Sequence, residues 1–586
     1  MALFEEKNEQ EIFYKSSSEI IPYCIKEDFI DNNFLLIFVN PLSGSQEGKI
    51  ILEYIKNYKE SSIDSYNIIH FPIEEDLNED LFPFPFSLSR TNSVVSFDEI
   101  IIPNSKKNLE HPTKFDPSIP FSVIVFNLLD KNDCLKSKKF IKRYNRDFPL
   151  NNIRILIGGG DGSVSSCIED LRNTKINLEK CIFGAIPLGT GNDLSNAMGF
   201  DSTCEIGIKV EYFQRVMYTY LIASVINIDV WKLELKVDQK EGKIYDVIKN
   251  GEIELKDNKN KFVKNFSKSF INYMSIGFDA KIGFMFGQKR TSSRIFNKAI
   301  YAWEAGKNIL KGLFQKNLGL SSLLESLITF ENENVKNFEN KEGYTKDENY
   351  FFDEEGLDML KNKKIIFESI DFRKRKNYSP TILKGNPVVI VCQNINFYMG
   401  GTEHIWGNTN QIGIQPCGLK RKEKKLYEMS LSKNFKHQSS DDRKIEFVTY
   451  NHGMDMGLER VSQGNAKKIH QGSGPFLFTF KKKVSQAQKK KLNKVYINID
   501  GEFYHLVQPK QIIISLNDNI CNGQIKFLKN EFAIWRFKQK NIFQKIKKSV
   551  KYYKYFVIVV PFLILFMLYG CEKSFVYLLY MLLLFF

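Results

Sequence analysis

Clustered cysteine is what this chain most plainly lacks. Its nine cysteines are scattered from Cys24 to Cys571, with no C-x-x-C pair and no zinc-finger spacing to its seven histidines. That argues against a disulfide framework or a zinc module and predicts reduced thiols in a cytosolic body. The opening "MALFEEKNEQ" is charged, so no secretory signal is expected there. No internal repeat occurs. A dinucleotide fingerprint is missing too: Gly158 and Gly160 are followed by Ser163 where a third glycine belongs. A Walker loop is also absent. "GSQEGKI" (44–50) has one residue too few between its glycines, and Ile50 stands where Ser or Thr would bind magnesium.

What is present begins with size and charge. The 586 residues allow two to four domains, and 43% hydrophobic content is enough to bury a core. Lys+Arg total 83 against 68 Asp+Glu, a net charge of +15. The excess suits anionic partners, or reflects solvated Lys-rich loops. Nucleic acid is not expected as a partner, because the densest basic run, "RFKQKNIFQKIKKSVKYYK" (536–554), abuts an apolar segment. That segment, "YFVIVVPFLILFMLYGC" (555–571), is uncharged and long enough to cross a bilayer. Glu572 and Lys573 follow, then an apolar tail to Phe586. The sequence therefore predicts a C-terminal membrane anchor over 555–586. It also predicts anionic lipid at a basic juxtamembrane segment 536–554, and a body on the cytosolic side of an unspecified organelle.

Ahead of the tail the chain divides in two. "FLLIFV" (34–39), "SVIVF" (122–126), "IRILI" (153–157) and "IFGAI" (182–186) are buried-strand candidates with helical stretches between them. Strand, Gly-rich turn and helix in repetition predict a parallel α/β sheet domain over 34–225, after an extension 1–33 and carrying an insertion 72–120. From 226 to 530 alternating and aromatic runs such as "INIDVWKLELKV", "FLFTFKKK" and "QIIISL" predict a β-rich second domain, an antiparallel sandwich. Residues 238–265, 331–362 and 415–442 are polar and read as its surface insertions. The expected fold class is thus α/β plus β with a transmembrane segment.

Three Gly-rich turns lie at strand carboxyl ends: 40–48, 158–163 and 187–193. Ligands bind at those ends in such sheets. In "IGGGDGSVSSCIEDL", backbone N–H groups can approach an anion with no Cβ in the way, at the positive end of a helix; an ordinary tight turn is the plain alternative. "IPLGTGNDLSNAMGF" (186–200) repeats the form. Thr190 and Asn192 can donate to phosphate. Asp193 sits at a helix start, as an N-cap or as a second carboxylate beside Asp161. Two carboxylates next to phosphate-binding backbone suit magnesium and proton abstraction from an attacking hydroxyl.

At these residues the chain resembles the diacylglycerol kinases. "VNPLSG", "GGGDGS", "PLGTGND", "NYMSIGFDA" and "IDGE" occur in that family's order. "FNKAIYAWEAG" and "NFYMGGTEHIWG" look like its accessory-domain segments. The GGDG turn alone is shared with sphingosine, ceramide and NAD kinases and with phosphofructokinases; the accessory segments favour the eukaryotic diacylglycerol kinases. The resemblance covers roughly 34–314 and 386–516. It implies an NAD-kinase/diacylglycerol-kinase-like catalytic domain that moves the γ-phosphoryl group of ATP to diacylglycerol in the membrane, giving phosphatidic acid. ATP would lie between the domains, on Gly158, Gly159, Gly160, Asp161, Gly162, Ser163, Gly189, Thr190, Gly191 and Asn192, helped by Asn40, Ser43 and Gly44. Asp161 would be the general base or would orient the hydroxyl. Asp193, Asp229 in "IDVW" and Glu502 in "IDGE" would serve Mg2+. A strand-end salt bridge for Asp229 and a plain hairpin turn at Glu502 stay open. The alternatives are a sphingoid-base or ceramide kinase, or a non-catalytic nucleotide- or lipid-binding membrane protein.

Departures from the family pattern are local. Ser163 replaces a usual Thr and keeps the hydroxyl. Asn196 stands where Arg often follows "GNDL". Asp442 matches the start of a D-G-x-x-E segment, but Arg443 replaces its glycine. Paired cysteine-rich lipid sensors and an EF-hand loop are both missing, as in a minimal kinase.

Overall fold

The structure, a computed structural model, describes residues 34–43, 47–57, 67–71, 121–200, 210–257, 259–291, 294–314, 319–330, 364–369, 381–459, 462–481 and 494–531. Its first sheet contains β1 (Phe34–Val39), β2 (Asn67–Phe71), β3 (Phe121–Asn127), β4 (Ile153–Gly159), β5 (Cys181–Pro187) and β6 (Ser224–Asp229). A seventh, closing strand, Gln524–Lys529, comes from near the end of the described chain. The order is β2-β3-β1-β4-β5-closing-β6. β3, β1, β4, β5 and the closing strand are parallel, and β2 and β6 run antiparallel at the edges.

Local chemistry explains the centre of this sheet. β1 and β5 are buried along their whole length, as an unbroken apolar run covered on both faces requires. Helices Lys131–Asp147, Asp161–Asn173 and Val210–Leu221 contribute Tyr144, Ile168 and Phe213 to the same core. Asp130 caps the first of these helices, accepting from the backbone N–H of Asn132 and Asp133. The chain adds β3 on one side of β1 and then β4 on the other. The crevice where that order reverses opens at the carboxyl ends of β1 and β4.

Two antiparallel sheets form the rest. One has six strands, with Trp231–Val237, Pro509–Leu516 and Phe476–Phe480 at its centre. The other has eight, centred on Val389–Gln393, Tyr273–Gly277 and Lys494–Ile499. Their facing side chains share one core, with Leu233, Phe478 and Ile512 from the first sheet and Met274, Ile390 and Ile497 from the second. The two units are stitched together, because β6 and the closing strand complete the α/β sheet from either end of the antiparallel one.

The expected transmembrane segment is corrected. Among the described residues no helix is long and apolar enough to cross a membrane. An apolar run is a candidate on length alone, whereas a span also needs a continuous helix that satisfies its own backbone. Residues 555–586, where the anchor was expected, and the basic segment 536–554 lie outside the described residues. The fold is therefore α/β plus antiparallel β, without a membrane segment, and the C-terminally anchored localisation falls with it. Two polar stretches read as plain insertions carry regular structure. A hairpin, Lys243–Ile248 and Gly251–Glu254, occupies the first, and a helix, Arg421–Asn434, the last.

Candidate active site

The loops after β1, β4 and β5 meet at the switch point. Asn40 donates from its backbone N–H to the Gly158 carbonyl (2.8 Å) and from its amide to Ser163 Oγ (3.3 Å). Leu188 and Gly189 both donate to the Gly159 carbonyl. The glycines are there because the loops touch each other. A Cβ on Gly189 would run into Gly160 Cα and stand 2.7 Å from Asn192 Oδ1. One on Gly159 would meet Ser163 Cβ at 2.5 Å. Ser43 is buried nearby, its Oγ 3.5 Å from that same position. Gly158 packs on Leu188 and Gly191 on Asp161. Gly44 lies outside the described residues.

Helix Asp161–Asn173 starts in this junction, with Gly160 at its N-cap and no side chain capping it. Its positive end therefore faces the crevice with backbone donors unclaimed by a cap. Asp161 is the acid fixed there. Its two carboxylate oxygens accept from the backbone N–H of Asp193 and Leu194, each at 3.0 Å. Burial pushes its carboxyl above the usual range, against the pull of those two N–H groups. Asn192 takes the left-handed conformation (φ 57°) and closes its own loop, accepting from Gly189 N–H (2.8 Å) and donating to Gly189 O (2.9 Å). Thr190 differs from these neighbours. Its Oγ1 is buried and has no hydrogen-bond partner.

The second unit closes over this junction. Asp193 accepts from Gly400 N–H (2.9 Å) and Gly401 N–H (3.0 Å), so its carboxylate holds the tight turn between Phe397–Tyr398 and Thr402–Glu403. The expected DGE turn is a two-residue hairpin turn, with Asp500 at φ 48° and Gly501 at φ 84°. Glu502 Oε1 lies 3.1 Å from where a Gly162 Cβ would stand. Its carboxylate pairs with Lys268 and accepts from Tyr504 Oη (2.8 Å). The residue the sequence reading missed is Asp500. It is fully buried and accepts from Ser165 Oγ (2.5 Å) and from the backbone N–H of Ile271 (2.8 Å), Asn272 (2.9 Å) and Tyr273 (3.1 Å). It joins the helix behind Asp161 to the antiparallel unit. Burial pushes its carboxyl up to about 6. The Asp-Gly pair between two alternating runs was the available signal.

Asp229 also serves as a junction. It accepts from Arg443 N–H (2.6 Å) and Gln524 Nε2 (2.7 Å), tying β6 to the segment after Arg421–Asn434 and to the closing strand. Arg443 takes φ 58°, a conformation that explains a family glycine there. Thus Asn40, Ser43, Asp161, Ser163, Thr190 and the glycines converge, and Asp193 and Glu502 border them. Asp193, Asp229 and Glu502 do not form one cluster. Their oxygens accept from N–H groups, a hydroxyl or an ammonium. Among the described residues no three His, Cys, Asp or Glu are grouped to hold a metal ion. These carboxylates do not fit a protein-held magnesium.

Comparison with known proteins agrees with this architecture. Residues 125–215 match the diacylglycerol kinase catalytic domain and 269–503 the diacylglycerol kinase accessory domain. Human diacylglycerol kinase iota is 29% identical over 169 residues, 27% of this chain and 14% of that protein. Diacylglycerol kinase 7 of Arabidopsis thaliana is 27% identical over 177 residues, 26% of this chain and 34% of that protein. Mouse diacylglycerol kinase eta is 34% identical over 124 residues, 20% of this chain and 9% of that protein. The matches span about a third or less of these relatives. With both domains in order, the chain belongs to the diacylglycerol kinase family, of the eukaryotic type. The catalytic-domain match begins within β3, yet the fold sets Asn40 and Ser43 of β1's loop against the matched glycines.

Proposed function

We propose that this chain is an ATP-dependent lipid kinase that phosphorylates the free hydroxyl of diacylglycerol to give phosphatidic acid. The observation carrying this reading is the junction of three loops around buried Asp161, with the uncapped helix end of Gly160–Asp161 and the partnerless Thr190 hydroxyl facing one crevice. The triphosphate of ATP takes up both: backbone N–H groups at the helix end bind phosphate oxygens, and Thr190 donates to another. Phosphoryl transfer asks mainly for positioning and charge neutralisation. Magnesium enters with ATP as part of the substrate, and no step here runs through a metal held by the protein.

Asp161 is suited to the acceptor hydroxyl. Its fixed oxygens provide a basic site aimed by two backbone N–H groups, and its raised pKa brings its proton affinity toward working pH. The basic stretch 536–554 adds attraction to anionic lipid, including the product. The test is labelled ATP with diacylglycerol, ceramide and sphingosine, each in mixed micelles. Phosphatidic acid as the dominant product supports the reading. Ceramide phosphate or sphingosine phosphate without phosphatidic acid reassigns the acceptor, and no labelled lipid at all refutes the kinase.

A further inference from the structure

Asn272 lies in the turn between strands Asn265–Phe270 and Tyr273–Gly277, on the antiparallel unit. Its backbone is fully used. The N–H donates to Asp500 (2.9 Å), and the carbonyl accepts from Asn394 N–H (2.9 Å) and Ile395 N–H (3.3 Å). Three strand connections thus fix its position. Its side chain is the opposite case. The residue is 1% exposed, yet neither Oδ1 nor Nδ2 has a hydrogen-bond partner. A buried carboxamide left unpaired forfeits its hydration with no return, and folded proteins rarely retain one that has no further use. The Asn272 amide faces the Asp161 carboxylate and opposes the effect of burial on it, without completing a hydrogen bond. Asp161 already receives Asp193 and Leu194 N–H from the α/β side. The amide approaches from the other wall of the crevice.

We infer that Asn272 is an acceptor-binding residue, whose Nδ2 donates to the oxygen of the lipid hydroxyl while that hydroxyl donates its proton to Asp161. The inference rests on the kinase reading and extends it by assigning the second contact to the acceptor. In the transfer, the acceptor oxygen forms a bond to the γ-phosphorus. The bond from that phosphorus to the bridging oxygen breaks, and its electron pair leaves with ADP. The hydroxyl proton passes to Asp161. Asn272 neither gains nor loses a proton; it holds one lone pair of the hydroxyl so that another points at phosphorus. Thr190, the other partnerless side chain beside Asp161, is left for the nucleotide.

The experiment uses the full chain and its Asn272→Ala and Asn272→Asp variants. It reads kcat and KM for dioctanoylglycerol in mixed micelles, the affinity of a fluorescent ATP analogue, and the melting midpoint. Both variants are expected to lose at least tenfold in kcat/KM for the lipid, with ATP-analogue affinity within twofold of wild type. Asn272→Ala should melt no lower than wild type, since it removes an unpaired amide. Asn272→Asp keeps the shape but, when ionised, cannot donate, and it places a like charge beside Asp161, so its pH-rate profile should shift upward. Unchanged lipid kinetics in Asn272→Ala, or an equal loss of nucleotide affinity, overturns the inference. If wild type transfers phosphate to no lipid, the kinase reading fails separately. The inference is then decided by equilibrium binding of dioctanoylglycerol with a non-hydrolysable ATP analogue present. Weakening of at least tenfold in Asn272→Ala upholds it; equal binding, or no binding by wild type, overturns it.

Discussion

Replacing Gly189 with alanine tests whether the two glycine turns must touch. The added methyl would run into Gly160 Cα and lie 2.7 Å from Asn192 Oδ1, whereas a real Cβ essentially never comes closer than 3.0 Å. Relief requires the β5 loop to move by about half an ångström in a packed interior with little slack. The listed obstacle is backbone, so no side-chain rotation absorbs it. The move lengthens the Leu188 and Gly189 bonds to Gly159 O and drags Asn192, whose amide bonds both Gly189 N–H and O. Overpacking of this kind costs about 1–3 kcal/mol of stability. Displacement of phosphate-positioning groups by up to about 1 Å costs on the order of 100-fold in rate. The assay is diacylglycerol phosphorylation with ATP affinity and urea unfolding measured beside it. Gly306→Ala is the control. Its Cβ meets nothing within 4 Å in the middle of helix Arg294–Phe314, so it should gain up to about 1 kcal/mol and leave turnover unchanged. Wild-type kcat and ATP affinity in Gly189→Ala would refute the reasoning, because the glycines would then not be set by contact between the loops.

Two further substitutions follow from single residues at the unit junctions. Arg443 is exposed with φ 58°, and its useful group is a backbone N–H that glycine keeps. Arg443→Gly should therefore raise the urea midpoint, by a net gain of up to about 1 kcal/mol after the entropy of the unfolded glycine is deducted. Burial pushes the Asp229 carboxyl from 3.8 up to about 6. Its protonated form is favoured by folding, so this contribution is fully present below about pH 4 and is lost as pH rises through about 6. Asp229→Asn should remove that loss, and its stability relative to wild type should increase from pH 4 to 7 by at most about 3 kcal/mol. A pH-independent difference would contradict the shift.

Central strands β1, β4 and β5 were legible because fully buried parallel strands need continuous apolar runs, and theirs stop at glycine turns. The closing strand was not. Gln524–Lys529 pairs with β5 across more than 300 residues, and nothing in a local pattern states which sheet a strand will join. Lys243–Ile248 and Gly251–Glu254 are half-exposed edge strands, so their polarity resembled a loop, although Asn250-Gly251 marked a turn. Helix Arg421–Asn434 buries no residue, so its charges hid its periodicity. At the site, the loops were readable from glycine placement. Asp193, Asp229 and Glu502 were read as metal ligands because carboxylates near phosphate loops suit magnesium. The structure shows each meeting donors from the antiparallel unit, a role that depends on tertiary contacts rather than on spacing.

The central claim is that Asp161 stands where the nucleotide loops and the acceptor hydroxyl meet. The most direct measurement is phosphoryl transfer from labelled ATP to diacylglycerol by the full chain and by Asp161→Asn, with ATP-analogue binding and unfolding recorded on the same preparations. The expected result is a loss of at least 100-fold in kcat for Asp161→Asn, with nucleotide binding retained and the unfolding transition still cooperative. Turnover equal to wild type in that variant would contradict the account.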